Sequence, residues 1–166
     1  GITHLPKPME DVTEEEFDRV FAVNCKSVYL TARELVPHMK ANGGAILNVA
    51  STAGLKGYPY VSAYCAAKHG VVGLTRALAV ELGTSGITVN AICPGFVETP
   101  LLERSIANII EKTGLPRAKA EASLKRGNPQ NRFIQSDEVA GTAVWLCSDA
   151  ATAINGPARS LSGGEI

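Results

Sequence analysis

The sequence predicts an α/β domain built around a parallel sheet, and three observations support this class. Short apolar runs typical of buried strands alternate with longer segments in which apolar residues recur at helical spacing. Gly and Ala are plentiful, whereas aromatic residues make up only 5% of the 166 residues. Apolar residues make up 45%, which is enough to bury a core. Small side chains of this kind suit close packing of helices on a sheet better than an all-β sandwich.

The first predicted element is a long helix that begins after Thr13. Thr13 and Glu16 stand at the spacing of a capping box, in which each side chain bonds the backbone N–H of the other residue. Apolar residues at helical spacing continue to Met39, and Asn42-Gly43-Gly44 predicts the end of the helix. Asn24 lies inside this helix among apolar residues, so we expect it to mark a kink or to hold a water molecule.

Two short apolar runs, at residues 45–50 and 87–93, predict buried parallel strands. Between them, residues 62–82 predict a helix that is apolar on nearly every face and is therefore covered on more than one side. Gly70 and Gly73 would let another helix approach this one closely, which favours a subunit interface.

The last third of the chain predicts three further helices and one short strand. Thr99 and Pro100 stand where an N-cap and the first helical residue are expected. Ser136-Asp137-Glu138 is expected to cap the last helix. The helices are predicted at 100–113, from Pro116 to Gly127 and at about 137–148, and the strand at 159–161.

Charge and cysteine usage exclude several classes of function. The 16 basic residues balance 16 acidic ones, so the basic surface of a nucleic-acid-binding protein is not expected. No apolar run is long enough to span a membrane, and the first residues do not resemble a signal peptide. The four cysteines form no CxxC pair and the three histidines have no ligand-like spacing, so no metal site is expected. We therefore expect reduced thiols and a cytoplasmic location.

Tyr64 and Lys68 carry the first candidate chemistry. They lie four residues apart on a predicted helix and therefore share one face. A phenol has a pKa near 10, which an adjacent ammonium would lower. Such a pair can serve as a general acid or base toward a carbinol oxygen. The alternative is a core tyrosine beside a lysine whose charged end reaches solvent.

The other candidate site residues lie at or just after the ends of the two predicted strands. Ser51 follows the first strand and Pro94-Gly95 closes the second, at the sheet edge where open α/β sheets bind ligands. The Ser51 hydroxyl could hold a substrate oxygen beside the phenol, or it could make only a local turn bond. Gly95 would let a planar ligand approach the backbone, and Thr99 offers either a helix cap or a hydroxyl facing that ligand.

Together these motifs resemble the short-chain dehydrogenase/reductase family. Its characteristic segments are a strand followed by a YxxxK helix, a VNxxxPG strand, a helix with a catalytic asparagine and a DGG close. The matching segments are Ile46 to Ser51 with Tyr64 to Lys68, then Val89 to Gly95, Val23 to Ser27, and Leu161 to Gly164. The resemblance covers nearly the whole chain.

The resemblance implies an NAD(P)(H) cofactor, with NADP somewhat favoured over NAD. Four residues match the catalytic positions of the family and four match positions that line the nicotinamide: Asn24, Ser51, Tyr64 and Lys68, then Pro94, Gly95, Val97 and Thr99. Tyr64 would exchange the proton, and Lys68 would lower its pKa and bond the nicotinamide ribose. Ser51 would polarise the carbonyl, and Asn24 would hold a water in a proton relay.

One family motif has no counterpart. No GxxxGxG turn, which would cradle the pyrophosphate at a helix N-terminus, occurs in the sequence. Gly1 matches the glycine of the family's NNAG motif. We therefore expect residues 1–166 to form the C-terminal, catalytic part of a doubly wound Rossmann-like domain, with substrate-loop helices at about 98–128. By analogy with the family, roughly 80–90 residues would precede them.

The resemblance also indicates a substrate class. Cys93 to Pro100 is similar to the 3-oxoacyl reductases, and the insert at 98–128 is similar in length to that of 3-hydroxybutyrate dehydrogenases. The latter bind a carboxylate through a His and a Lys, where this chain has Ala53 and Val61. An unpaired carboxylate is costly to bury, so a 3-oxoacyl thioester or another neutral ketone is favoured. Basic residues of the insert could meet an acyl carrier protein or coenzyme A: Arg104, Arg117, Lys119 and Lys125.

Three alternatives remain open from the sequence. The substrate could instead be 3-hydroxybutyrate, a cyclic alcohol or a steroid. The chain could be a catalytically incompetent fragment that acts only as a scaffold, because the pyrophosphate turn is missing. An epimerase or dehydratase relative would also carry YxxxK, but the early close at Gly163-Gly164 is against it. A homodimer or homotetramer is expected, and neither nucleic acid nor membrane is an expected partner.

Overall fold

A computed structural model describes all residues 1–166 and shows a three-stranded parallel sheet with helices packed against it. The strands are β1 (Gly44–Val49), β2 (Ile87–Pro94) and β3 (Ala158–Leu161), and they lie side by side in that order. The predicted α/β class and all three predicted strands are confirmed. No end of a strand differs from its predicted position by more than one residue.

Strand β2 is the centre of the fold. Every one of its residues except Thr88 is buried, because it is paired on both sides. Ala91 stands opposite Asn48 of β1 and Ala158 of β3. The outer edge of β1 has no partner strand, and Val49 at its end is 58% exposed. The carboxyl ends of all three parallel strands therefore meet at one edge of the sheet.

The predicted first helix consists of three parts. Helix α1 (Glu14–Phe21) begins with the expected capping box, in which Glu16 N donates to Thr13 Oγ1 over 3.2 Å. A π-helical turn (Ala22–Lys26) follows and leads into α2 (Ser27–Met39). One continuous α-helix is therefore the wrong prediction, because the π-helical turn that contains Asn24 interrupts it.

Helix α3 (Ser62–Leu82) has the predicted bounds and packs against β2 on one side and α1 on another. Its buried residues, with those of α1 and β2, form the main core. A Cβ at Gly70 would lie 2.8 Å from Cys25 Sγ, so this glycine accommodates the π turn of the same chain. The close approach expected at Gly70 is thus made within the chain, whereas Gly73 faces open space and the predicted subunit interface stays a prediction.

Three helices connect β2 to β3: α4 (Pro100–Thr113), α5 (Arg117–Lys125) and α6 (Ser136–Leu146). Thr99 and Pro100 occupy the predicted N-cap and first helical positions of α4, but the Thr99 hydroxyl donates to the Val97 carbonyl over 3.1 Å and makes no capping bond. The predicted cap of α6 is wrong. Gln135, rather than a residue of the Ser136 segment, occupies the N-cap of α6 and shares a capping box with Glu138.

The helical insert, defined here as residues 98–128, has a small apolar core of its own. Buried side chains from α4, α5 and the segment after them form it: Leu102, Ile106, Ala120 and Phe133. The insert also touches the first residues of the chain, where Lys112 Nζ donates to the Pro6 carbonyl over 2.8 Å. None of the helices combines the length and the apolar character needed to cross a bilayer.

Candidate active site

Ser51 lies two residues beyond the end of β1, at the edge of the sheet. It is extended, with φ −175°, and it caps a single 3-10 turn (Thr52–Gly54) by accepting a bond from Ala53 N over 3.1 Å. Ala50 N still donates to the Ile92 carbonyl over 2.8 Å, so the ladder between β1 and β2 continues up to the site. Because Ser51 Oγ is used as an acceptor, its proton remains available to a ligand.

Tyr64 and Lys68 lie in the first two turns of α3 and face Ser51. Lys68 is only 6% exposed, and its ammonium donates to the Val49 carbonyl over 2.9 Å. It also lies 5.7 Å from the centroid of the Tyr64 ring. The Tyr64 hydroxyl interacts with the Ser51 side chain. An ammonium has three donors, so Lys68 can bond further acceptors in addition to Val49.

Burial dominates the electrostatics of this pair. It raises the pKa of the Tyr64 phenol, and the hydrogen bond with Ser51 only partly offsets the shift. It also lowers the pKa of the Lys68 ammonium, while the nearby thiols of Cys93 and Cys25 act in the opposite direction. Desolvation of the phenolate outweighs the lowering influence of Ser51, so the pKa of Tyr64 shifts in the direction opposite to the one expected from Lys68. Tyr64 is protonated at neutral pH.

Asn24 lies in the π turn, and its side-chain amide is bonded on both sides to Ile2. Its Oδ1 accepts from Ile2 N over 2.8 Å, and its Nδ2 donates to the Ile2 carbonyl over 2.6 Å. A side chain at Gly1 would lie 2.5 Å from Asn24 Oδ1 and 3.5 Å from Lys68 Nζ. Asn24 thus anchors the start of the chain beside Lys68, and one donor and one acceptor position of its amide remain.

The segment after β2 lies at the same edge of the sheet. Val49 of β1 is in register with Ile92, so Pro94, the last residue of β2, and Gly95 after it lie beside the Ser51 turn. Gly95 N donates to the Leu161 carbonyl over 3.0 Å, which ties this segment to β3. Val97 and Thr99 continue into the insert, and Val97 forms an isolated bridge with Ile134.

An open cavity of about 680 Å³ lies along the insert, and Thr99 is one of its lining residues. Tyr64 and Lys68 lie outside it, so the candidate site is the sheet edge rather than this cavity. Two of the basic side chains expected to meet an acyl carrier protein or coenzyme A already form ion pairs here. Arg117 bonds Glu103 and Glu121, at 2.8 and 2.7 Å, and Lys125 lies 3.5 Å from Glu121. These two cations therefore belong to a solvated network of ion pairs on the insert.

Four side chains beside the Ser51 turn are absent from the sequence prediction. Thr52, Lys56, Tyr58 and Glu165 form a hydrogen-bonded group there. The available signal in the sequence is weak: a single charged residue directly after the Gly163-Gly164 pair. No group of three or more His, Cys, Asp and Glu side chains is arranged to hold a metal ion. All four cysteines are free thiols, and Cys25 and Cys93 are buried.

A parallel sheet with a Tyr/Lys helix at the end of its strands defines a class of α/β oxidoreductase-like domains, and comparison with known proteins identifies the family. A family model described as enoyl-(acyl carrier protein) reductase matches residues 1–165. The D-beta-hydroxybutyrate dehydrogenase of Rhizobium meliloti is 44% identical over 99% of this chain and 64% of its own length. The chain belongs to the short-chain dehydrogenase/reductase family.

Solved structures agree with this assignment. A levodione reductase superposes with a TM-score of 0.93 at 37% identity, covering 99% of this chain and 63% of that one. The 3-ketoacyl-(acyl-carrier-protein) reductase from Brucella melitensis, complexed with NADH, has a TM-score of 0.88 at 38% identity, with 99% and 64% covered. The chain thus spans less than two thirds of these relatives and corresponds to the C-terminal part of their Rossmann-like domain.

Proposed function

We propose that the protein is an NAD(P)-dependent carbonyl reductase or secondary-alcohol dehydrogenase. The observation that carries the proposal is the convergence of Ser51, Tyr64 and Lys68 on one point of the sheet edge, although they come from a turn and a helix. A buried phenol beside a serine hydroxyl is suited to bind a carbonyl oxygen and to give it a proton. The named activities of the relatives, which are dehydrogenases and reductases, support this class.

Each residue has a defined part in the proposed reaction. Tyr64 donates its proton to the substrate oxygen, and Ser51 donates a hydrogen bond to the same oxygen. Lys68 bonds the ribose of the cofactor with the donors that Val49 leaves free. Asn24 holds the start of the chain against Lys68 and offers its remaining amide proton to a relay water. A bound nicotinamide supplies or accepts the hydride.

The residues present fit part of a nicotinamide site. Lys68 has unused donors, Ser51 has an unused proton, and the segment from Pro94 through Gly95 and Val97 to Thr99 lies along the same edge. These residues would hold the nicotinamide and its ribose. Solved relatives are described with NADP, NADH and NADPH, and we propose NADP as the preferred cofactor on the resemblance alone.

We propose a 3-oxoacyl thioester, or another neutral ketone, as the substrate. Ala53 is buried and apolar, and Val61 offers no charge, so a small carboxylate would meet no cation at these positions. Lys56, the nearest cation on this loop, is already paired with Glu165 over 2.7 Å. The acyl group would be delivered by acyl carrier protein or coenzyme A. Hydroxybutyrate remains the second candidate, because a hydroxybutyrate dehydrogenase is among the most similar relatives.

The complete polypeptide that contains these residues provides the test. Oxidation of NADPH and NADH is followed with an acetoacetyl thioester, acetoacetate, a cyclic ketone and a crotonyl thioester, the last to detect enoyl reduction. We expect turnover with the acetoacetyl thioester and a loss of about 10²–10⁴-fold in kcat for Tyr64→Phe with NAD(P)H binding retained. Tyr29→Phe, on the exposed side of α2, is the control.

Two results would overturn the proposal. Unchanged turnover in Tyr64→Phe would remove the phenol from the reaction. Absence of both turnover and NAD(P)H binding in the wild type would favour the alternative of a catalytically incompetent scaffold. The same preparation also tests the proposed homodimer or homotetramer by its mass in solution.

A further inference from the structure

Glu165 is a buried carboxylate that the proposed reaction does not use. Its side chain is only 6% exposed, and its Oε1 accepts bonds from the Tyr58 hydroxyl and from Lys56 Nζ, each over 2.7 Å. A carboxylate is costly to bury unless it is paired and hydrogen-bonded, so these two donors account for its ionised form. Lys56 itself remains partly in solvent, with 39% of its side chain exposed.

The bond to Tyr58 continues to the residue next to Ser51. The Tyr58 oxygen lies 2.9 Å from Thr52 Oγ1, and Thr52 is 3% exposed. A phenol has one proton, and Tyr58 donates it in the hydrogen bond to the Glu165 carboxylate. The Thr52 hydroxyl must therefore donate to the Tyr58 oxygen. Burial and the hydrogen bond to Glu165 raise the pKa of Tyr58, which keeps this proton in place. A continuous chain of bonds thus runs from Thr52 to Glu165.

Glu165 also lies between two glycines at the ends of the helical insert, Gly95 just before it and Gly127 in its last residues. A Cβ at Gly127 would lie 3.0 Å from Glu165 Oε1, and a Cβ at Gly95 would lie 3.5 Å from Oε2. The turn at Gly163 and Gly164, with φ of +65° and +101°, directs the chain back beneath the insert. Glycine is required there, because these are left-handed conformations. The carboxylate therefore lies against both ends of the insert and is linked to the Ser51 turn through Tyr58 and Thr52.

We propose that Glu165 is a positioning residue, which fixes the Ser51 turn against the two ends of the insert through Tyr58 and Thr52. The proposal rests on the proposed function, because Ser51 is taken to bind the substrate oxygen. Within its own turn, the Ser51 hydroxyl accepts a bond from Ala53 N and the Ser51 carbonyl accepts one from Gly54 N. The group Thr52–Tyr58–Glu165 holds the same turn through the Thr52 hydroxyl. Loss of the group leaves the serine in place but less precisely oriented.

A double-mutant cycle between Tyr58→Phe and Ser51→Ala tests this role in the complete polypeptide. Tyr58→Phe removes both bonds and keeps the ring. We expect about a five- to tenfold loss of kcat for Tyr58→Phe, with KM for NAD(P)H unchanged. In the Ser51→Ala background the same change is expected to have no further effect, because the group it positions is gone. Tyr29→Phe is again the matched control.

Variants at position 165 separate the hydrogen bond from the charge. Glu165→Gln keeps the acceptor for Tyr58 and should retain kcat within about threefold, whereas Glu165→Leu should lose as much as Tyr58→Phe. If Tyr58→Phe lowers kcat by the same factor with and without Ser51, the group acts only through general stability and the proposal is wrong. An unchanged kcat in Tyr58→Phe would overturn it as well.

Hydrogen exchange gives a readout that does not depend on turnover. Ala53 N–H donates to Ser51 Oγ, so its exchange rate reports the order of the turn. We expect Tyr58→Phe and Glu165→Leu to speed this exchange at least tenfold, with amides of β2 unaffected. Unchanged exchange at Ala53 would contradict the positioning role even if the protein proves inactive. Fast exchange in an inactive protein would instead contradict only the proposed function.

Discussion

The packing of the Ser51 turn on α3 leads to a sharp prediction at Gly54. A Cβ on Gly54 would lie 2.7 Å from the Lys68 carbonyl oxygen and 3.0 Å from its carbon. Non-bonded heavy atoms normally stay about 3.5 Å apart or more, so the turn must move away from α3 by roughly 0.5–1 Å. The obstacle is helix backbone, which cannot rotate aside. We expect Gly54→Ala to lower the free energy of unfolding by about 1–3 kcal/mol.

The same displacement should act on catalysis, because Ser51 belongs to the turn and Lys68 to the helix. A shift approaching 1 Å between groups that act together can cost about 10²-fold in rate, so we expect a ten- to hundredfold loss of kcat. Gly57→Ala is the matched control, since Gly57 lies in the same loop, is exposed and has no atom within 4 Å of a Cβ.

Urea unfolding of wild type, Gly54→Ala and Gly57→Ala in parallel measures the first effect, and steady-state kinetics of the complete polypeptide measures the second. Gly57→Ala is expected to stay within about 0.5 kcal/mol of wild type. Equal unfolding midpoints for the two alanine variants would refute the packing argument. A destabilised Gly54→Ala with full kcat would show that the turn tolerates the shift.

Two further predictions concern hydrogen bonds elsewhere. Asn24→Ala removes both bonds to the Ile2 backbone and should lower the free energy of unfolding by about 1–3 kcal/mol in urea titrations, whereas Asn42→Ala, which is exposed, should not; equal effects would contradict this role. Arg132 lowers the pKa of Glu138 to about 2, so the pair's contribution is present above pH 4.5 and is lost as pH falls toward 2. The stability curves of wild type and Glu138→Gln should therefore converge over that interval, and parallel curves would contradict the pairing.

Local signals in the sequence predict most of the fold. The bounds of α3 and α4 are predicted correctly because the signals for them are local. Apolar periodicity marks α3, and Pro100 and Gly114 mark the two ends of α4. The π turn is not recovered, since it depends on the bond between Asn24 and Ile2, which are 22 residues apart. The capping bonds expected from Thr99 and Ser136 are not made, because their hydroxyls donate to the carbonyls of Val97 and Glu98 in the folded chain.

The residues of the candidate site also divide into those that local sequence signals predict and those that depend on the closed fold. Tyr64 and Lys68 are predictable because their spacing on one helix fixes their relation, and Ser51 because a strand end fixes its edge. Glu165 is not predictable, since its bond partner Tyr58 lies 107 residues away and only the closed fold brings them together. The direction of the Tyr64 pKa shift is also beyond the sequence, because it depends on the degree of burial.

The direction of that shift bears on the proposed chemistry. A buried phenol with a raised pKa holds its proton at neutral pH, so Tyr64 has the protonated form that the proposed donation to a carbonyl oxygen requires. Lys68 does not reverse this shift, because its own charge is also disfavoured by burial. Alcohol oxidation would need a further positive charge at the sheet edge to stabilise the phenolate. The protonated phenol is therefore the form in which Tyr64 would enter the proposed carbonyl reduction.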